Sequence, residues 1–369
     1  MLSIILLLIL APLIVVATLL WVRRQLINHF SSVYAVRTPA GIDLLQKVAI
    51  GGIDQWLHIR GCDQSNPILL FLHGGPGVPQ IGWFDAIQRP WENSFTVVQW
   101  DQRQTGKSYQ PLSKIRNTMT NQQMIQDTAE VIQYLRKRFK QEKIFLIGKS
   151  YGSYLGAHMA AKHPEWLHAY VADGQMINFM EFAHQEYKQL LNHAKAEGDK
   201  ELIDKLNGMA PRPDPNNRWQ SFIEHEGFIC EQLDRIGKGL SPYSYGSSSR
   251  FFKSLLVSKL CSQHLSLKDI YHHLFSLQAP YDPQCGFAEE IMGIDIPSEI
   301  GSAFSIPILA ISGANDWHVP CSYQTEWFAS ITAPHKEHIV FENSIHYPYL
   351  DEPAQYAQVL TEKLLPLAA

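Results

Sequence analysis

A chain of 369 residues, 46% hydrophobic and 18% charged, carries enough apolar material for one large α/β domain with an insertion, or for two domains. A formal net charge of −4, with no basic run of nucleic-acid type, argues against a polyanion-binding role, so no nucleic-acid partner is expected. Five scattered cysteines (Cys62, Cys230, Cys261, Cys285 and Cys321) lack a Cys-x-x-Cys pair and argue against a disulfide framework or a zinc site.

The N-terminus departs from this soluble composition. Leu2 to Val22 carries no charged side chain. As a helix this run is about 30 Å long, enough to cross a hydrocarbon core. Trp21 stands at its end as an interfacial anchor, and Arg23-Arg24 follow. A cleaved signal peptide, the rival reading, wants positive charge before a shorter apolar run and a small-x-small site after it. The expectation is an uncleaved single-pass anchor over residues 1–24, with the arginines placing the body on the cytoplasmic face. His29 to Gly41 reads as a short polar connection.

Val48 to Arg60 alternates around Gly51-Gly52, the pattern of a β-hairpin. Ile68 to Leu72 is an apolar run of buried parallel-strand type, ending in His73-Gly-Gly-Pro-Gly77. Thr96 to Trp100 predicts the next strand and leads into Asp101-Gln-Arg-Gln-Thr-Gly-Lys-Ser108. Met124, Ile125, Ala129, Ile132, Leu135 and Phe139 recur at helical spacing after a Thr120 or Asn121 cap. Ile144 to Ile147 predicts a strand, Tyr154 to Lys162 a helix, and Ala169 to Ala172 another strand. Such alternation means a mostly parallel sheet with crossover helices.

From Met176 to Ala303 the alternation stops. Helical stretches, a Pro-rich break at Met209 to Pro215 and a Ser/Gly cluster at Ser241 to Ser249 read as a helical insertion capping the sheet's C-terminal edge. Strands resume at Ile306 to Ile311 and His338 to Phe341, and a helix over Pro353 to Leu365 closes the chain. The expected division is an anchor at 1–24, core at 25–175, cap at 176–303 and core again at 304–369.

Gly148-Lys-Ser-Tyr-Gly152 fits G-x-S-x-G between a predicted strand and a predicted helix, the context of a nucleophile elbow. Small residues two positions either side of the serine permit so tight a turn. A serine hydroxyl needs a base, and the base needs an orienting acid. Ser150, Asp316 and His346 each follow a predicted strand in the chain order Ser, acid, His, which would bring them to one edge of the sheet. Asp173, also at a strand end, is a rival acid. The bland alternatives are an Asx turn at Asp316 and, at His346, one ordinary histidine among 16.

Taken together, His73-Gly-Gly-Pro-Gly77, Trp100-Asp-Gln-Arg103 with Thr105-Gly-Lys-Ser108, Gly148-Lys-Ser-Tyr-Gly-Ser153, Gly313-Ala-Asn-Asp316 and Ser344-Ile-His346 resemble the prolyl iminopeptidase-like branch of the α/β-hydrolases. The resemblance runs from about Ile50 to the C-terminus. It implies an α/β-hydrolase fold with Ser150 as nucleophile, Asp316 as acid and His346 as base. It also implies an oxyanion hole made by backbone N–H groups of Gly75 (or Gly74) and Tyr151. Enzymes of that branch hold the substrate's free amino group with acids of the cap. Glu181, Glu186, Glu224, Glu226 and Glu231 are available here, with Glu224 and Glu226, flanking His225, put forward as the pair. The chain departs from the branch in four places. Gln104 replaces the glycine of Asp-Gln-Arg-Gly, and Lys149-Ser-Tyr replaces Gly-Ser-Trp. Asp173-Gly-Gln replaces Leu-Arg-Gly, and Ser344-Ile-His replaces Ala-Gly-His.

These features predict a serine hydrolase acting through an acyl-enzyme on a small-molecule or peptide ester or amide, with no metal or organic cofactor implied. The alternatives are a true prolyl aminopeptidase, or a catalytically inactive, membrane-tethered binding protein on the same fold. Dehalogenase or epoxide hydrolase chemistry needs an aspartate at the elbow, and Ser150 occupies that place.

Overall fold

The apolar runs of the sequence form the centre of an eight-stranded sheet in the computed structural model, which describes residues 2–214, 216–235, 256–275 and 285–368. The Ser241 to Ser249 cluster lies outside the described residues. Strands β1 (Ile42–Ile50) and β2 (Ile53–Gly61) make the expected hairpin. Its turn places Gly51 at φ 53° and Gly52 at φ 77°, left-handed angles that glycine adopts without steric cost. The first strand begins at Ile42, well before the alternation that marks it in sequence.

β3 (Ile68–Leu72), β4 (Thr96–Asp101), β5 (Ile144–Lys149), β6 (Leu167–Asp173), β7 (Ile308–Gly313) and β8 (Lys336–Phe341) complete the sheet. Its order is β1-β2-β4-β3-β5-β6-β7-β8, and every pair from β4 to β8 is parallel. Side chains alternate across a strand, so one apolar run feeds two cores. Leu70, Leu72 and Leu146 face one, beneath α2 (Asn121–Phe139) and α3 (Tyr151–Lys162). Leu69, Phe71, Phe145 and Ile147 face the other, against Trp91, Tyr349 and Tyr356. Burial of each such side chain contributes about 1.5–3 kcal/mol, and both faces are covered, as a parallel sheet requires.

Helix α1 (Leu2–Val33) is 32 residues long, about 48 Å at 1.5 Å per residue. It continues through His29 instead of ending there, because no glycine or proline interrupts Gln25 to Val33. Leu13, Ile14, Leu19 and Trp21 lie on its exposed surface. By length and composition the helix can cross a membrane, a test that a signal sequence also passes.

Between β6 and β7 the chain makes the helical insertion. Among the described residues its helices are α4 (Phe179–Glu197), α5 (Lys200–Asn207), α6 (Arg218–Arg235), α7 (Leu267–Phe275), α8 (Phe287–Met292) and α9 (Ile296–Ile300). The insertion leaves and returns at one point, where Phe179 N–H donates to Ile294 O and Ile296 N–H donates to Ile177 O. Tyr187, Leu190, Leu202, Leu206, Ile229 and Leu233 give it a small core of its own, with Trp317 packing against it from the sheet side. After β7 come α10 (Cys321–Ser330) and, beyond β8, α11 (Pro353–Val359), which continues as a π-helical turn over Leu360–Leu364.

Candidate active site

Ser150 stands between the end of β5 and the start of α3 with φ 51° and ψ −121°, an angle that costs a non-glycine residue about 1–3 kcal/mol and marks functional turns. The two glycines of the motif have separate steric reasons. A Cβ on Gly148 would lie 2.6 Å from Gly152 O, and one on Gly152 would lie 2.2 Å from Leu72 O. The strained turn is held by Ser150 N–H donating to Asp173 O at 2.9 Å and by the Ser153 hydroxyl donating to Ser150 O. A Cβ on Gly74 would come within 2.9 Å of Ser150 Cβ, so the glycine-rich loop lies against the serine. Gly75, at φ 112°, follows it, and Tyr151 opens α3.

Asp316 and His346 come from the loops after β7 and β8. Asp316 Oδ2 is 2.7 Å from His346 Nδ1, while its Oδ1 accepts the backbone N–H groups of His318 (3.0 Å) and Val319 (2.9 Å). Both carboxylate oxygens are thus engaged, and the imidazole is aligned through Nδ1. Burial pushes the Asp316 carboxyl up, but the charges of His346 and Lys149 and the hydrogen bonds it accepts outweigh this and hold it below its ordinary value. Burial draws His346 down to about 4, against the pull of Asp316. On its other side His346 Cε1 would meet a Cβ on Gly174 at 3.3 Å. Gly174 follows Asp173, whose carbonyl holds the Ser150 amide, so serine and histidine flank one turn.

The rival acid is engaged elsewhere. Asp173 Oδ1 accepts from Lys149 Nζ at 2.9 Å and Oδ2 from the Tyr356 hydroxyl at 2.9 Å, all three side chains being buried. The two motifs that mark the resemblance also meet. His73 Nε2 lies 3.3 Å from Gln102 N and from Thr105 Oγ1, and Gln102 Nε2 donates to His73 O at 2.9 Å. Arg103 pairs with buried Asp127 at 2.8 Å and donates to Gly51 O at 2.7 Å, tying this loop to the hairpin turn. At the first departure, Gln104 adopts φ 68°, a left-handed angle that suits the glycine of the branch.

The family described as alpha/beta hydrolase fold matches residues 67–199. A probable aminopeptidase of Bacillus subtilis (strain 168), YbaC, is 29% identical over 323 residues, which is 87% of this chain and 96% of that protein. A proline iminopeptidase-related protein of Thermus thermophilus superposes with a TM-score of 0.58 at 17% identity, over 88% of this chain and 99% of that one. A membrane phospholipase A described as a bacterial virulence factor gives 0.59 at 17% identity, over 100% and 99% of the two chains. The chain has the α/β-hydrolase fold.

Of the cap acids, the pair put forward from sequence is engaged with other cap residues. Glu224 is exposed and accepts from Gln220, and Glu226 lies 3.6 Å from His225. Glu181 pairs with Arg212. Glu186 is the buried one, 3.1 Å from His318 Nδ1, and the His318 ring meets that of His346 edge-on at 5.1 Å. It was one of five candidate glutamates in the sequence and not one of the pair preferred there, and only the fold of α4 distinguishes it. His318 and the Lys149–Asp173 pair escape a motif-based reading, although the simultaneous departure at Lys149 and Asp173 was a signal that they belong together.

Proposed function

We propose that this chain is a serine hydrolase acting on a small ester or amide through an acyl-enzyme, with Ser150 as nucleophile, His346 as base and Asp316 as acid. One observation carries the reading. A serine at a left-handed φ of 51° heads a helix at the sheet edge where a buried histidine is hydrogen-bonded to aspartate at 2.7 Å. Ser150 Oγ attacks the carbonyl carbon while its proton passes to His346 Nε2. The carbonyl oxygen becomes an oxyanion received by the N–H groups of Gly75 and Tyr151. The imidazolium, stabilised by Asp316, then gives its proton to the leaving group, and water activated by the same imidazole releases the acyl group. Residues 25–175 and 304–369 form the catalytic core in this reading, and 176–303 the cap that selects substrate. α1 holds the body at a membrane, on its cytoplasmic face, and release on deleting Met1 to Arg24 tests the anchoring.

Removal of a free N-terminal residue is the second reading. It is favoured by Glu186, a buried carboxylate one ring away from His346, and by the similarity to a probable aminopeptidase. A buried carboxylate of this kind discriminates sharply for an ammonium group. The test is labelling of Ser150 by a fluorophosphonate, followed by a panel of aminoacyl arylamides and short-chain aryl esters. We expect labelling to vanish in S150A and the ester to be cleaved with the higher kcat/KM. Labelling that persists in S150A overturns the nucleophile; a strong preference for the prolyl arylamide selects the second reading.

A further inference from the structure

The first hairpin, the segment after the glycine-rich loop and the cap bring two histidines and two aspartates together at the β1–β2 end of the sheet, separated by β4 and β3 from Ser150's strand β5. Asp43 lies on β1, His58 on β2, Asp85 in the short turn that follows the glycine-rich loop, and His264 in the cap segment before α7. Asp43, His58 and His264 each offer a ligand atom, all within 4.8 Å of one another. His58 Nε2 is 3.0 Å and His264 Nε2 4.0 Å from the same oxygen, Asp43 Oδ1. Donors about 2.0–2.2 Å from a tetrahedral zinc ion lie about 3.3–3.6 Å from each other, so sub-ångström shifts close the set.

The surroundings supply what such ligands require. His58 is fully buried, and its Nδ1 makes no hydrogen bond; Asp85 Oδ1, 3.5 Å away, makes none either. A metal-bound histidine donates its other ring N–H to a carboxylate, and this pair is placed to do so. Asp43 keeps its second oxygen on Arg60 Nη1 at 2.7 Å, and Arg60 is held in turn by Glu92 at 2.8 Å. The His264 segment is fixed from both sides. Its carbonyl accepts from Lys107 Nζ at 3.0 Å, and Leu265 O accepts from Arg23 Nη2 at 2.6 Å. The Asp43 side chain is 23% exposed and leaves a path to solvent. The amide nitrogen of exposed Gln263, 3.4 Å from His264 Nε2, is the group an incoming ion displaces.

A proton on His58 could bridge the two aspartates without any metal. That arrangement gives no part to His264, whose ring lies 4.1 Å from that of His58 and whose Nε2 lies 4.0 Å from Asp43 Oδ1 and 3.8 Å from Asp85 Oδ2. We propose that His58 Nε2, His264 Nε2 and Asp43 Oδ1 bind a divalent transition metal of the zinc class, with Asp85 orienting His58 and the fourth position open to water. The ion joins the first hairpin to the cap. Cysteine spacing gives no hint of it, because no cysteine is a ligand.

The full chain in detergent, stripped of metal, is titrated with Zn²⁺ alone and with Co²⁺. One equivalent of zinc is expected, with a higher Tm and a visible Co²⁺ spectrum of four-coordinate intensity. H264Q should abolish one-equivalent binding, and D85N should weaken it by about 10–100-fold. Fluorophosphonate labelling shows that each variant is folded, and D85N gives up no hydrogen bond at Oδ1. Failure of the parent to bind one zinc, or equal affinity in folded H264Q or D85N, overturns the site. Neither result bears on Ser150.

Discussion

The Lys149 ammonium lies 2.9 Å from the Asp173 carboxylate, and the two residues face each other across β5 and β6 in register. Both stand where the prolyl iminopeptidase-like branch has other residues. One departure accounts for the other: a lysine buried beside the nucleophile needs a carboxylate opposite it, because an unpaired buried charge is costly. Tyr356 satisfies the second oxygen of Asp173 at 2.9 Å. Burial still pushes the Asp173 carboxyl above its ordinary value, with Lys149 opposing the shift.

A double-mutant cycle tests this pair. Lys149→Met and Asp173→Leu should each destabilise the protein by about 3–5 kcal/mol, since each strands a buried charge. The double variant should recover most of that loss, short of about 1 kcal/mol for the Tyr356 hydroxyl left without its acceptor. Denaturant unfolding measures all four corners. Additive losses would show that the two charges do not depend on each other.

Asp316→Asn should lower turnover on the order of 10⁴-fold by favouring the wrong tautomer of His346, with little change in stability. Asp173→Asn should act mainly on stability, because that carboxylate holds Lys149 and Tyr356. Initial rates compared with unfolding curves separate the two effects. If Asp173→Asn is the variant that loses turnover while remaining stable, the roles are exchanged.

The pH profile follows from the burial of His346. Its neutral form is the base, and burial draws its pKa down to about 4. As pH falls, protonation removes the acceptor for the Ser150 proton, so activity is lost on the acid side only. kcat/KM on an ester should therefore persist through the ordinary imidazole range near pH 6.5 and decline toward pH 4. An acid limb centred at 6.5 would falsify the dry setting given to His346.

Glu186→Gln separates the two substrate readings. If the carboxylate pairs with a substrate ammonium, the variant should lose about 2–5 kcal/mol of transition-state binding on aminoacyl amides, while esters without an amino group are cleaved as before. Ratios of kcat/KM for the two substrates report this directly. An equal fall on both would assign Glu186 to holding His318 rather than the substrate.

Much of the fold was legible from local pattern. Ile68 to Leu72 reads as a buried strand because an unbroken apolar run bounded by turn formers has few other uses. The Thr120 cap is visible for the same kind of reason, and its side chain does accept from Gln123 N. The extent of α1 was not, because helix propensity from Gln25 to Val33 is modest and no stop signal marks its end. Among the cap glutamates, spacing favoured Glu224 and Glu226. Glu186 is distinguished by its place on the buried face of α4, which depends on what that helix packs against.

By itself the sequence determined the alternation of strands and helices, the glycine-bounded serine and the chain order of serine, acid and histidine. Each of these is carried by neighbours within a few residues, where steric limits and side-chain period act. The tertiary structure decided which aspartate faces His346, that Lys149 answers Asp173, and that Asp43, His58 and His264 converge. Those pairings span from 15 to more than 200 positions of chain. They arise from sheet order and from the return of the cap onto the core, and no local pattern encodes either.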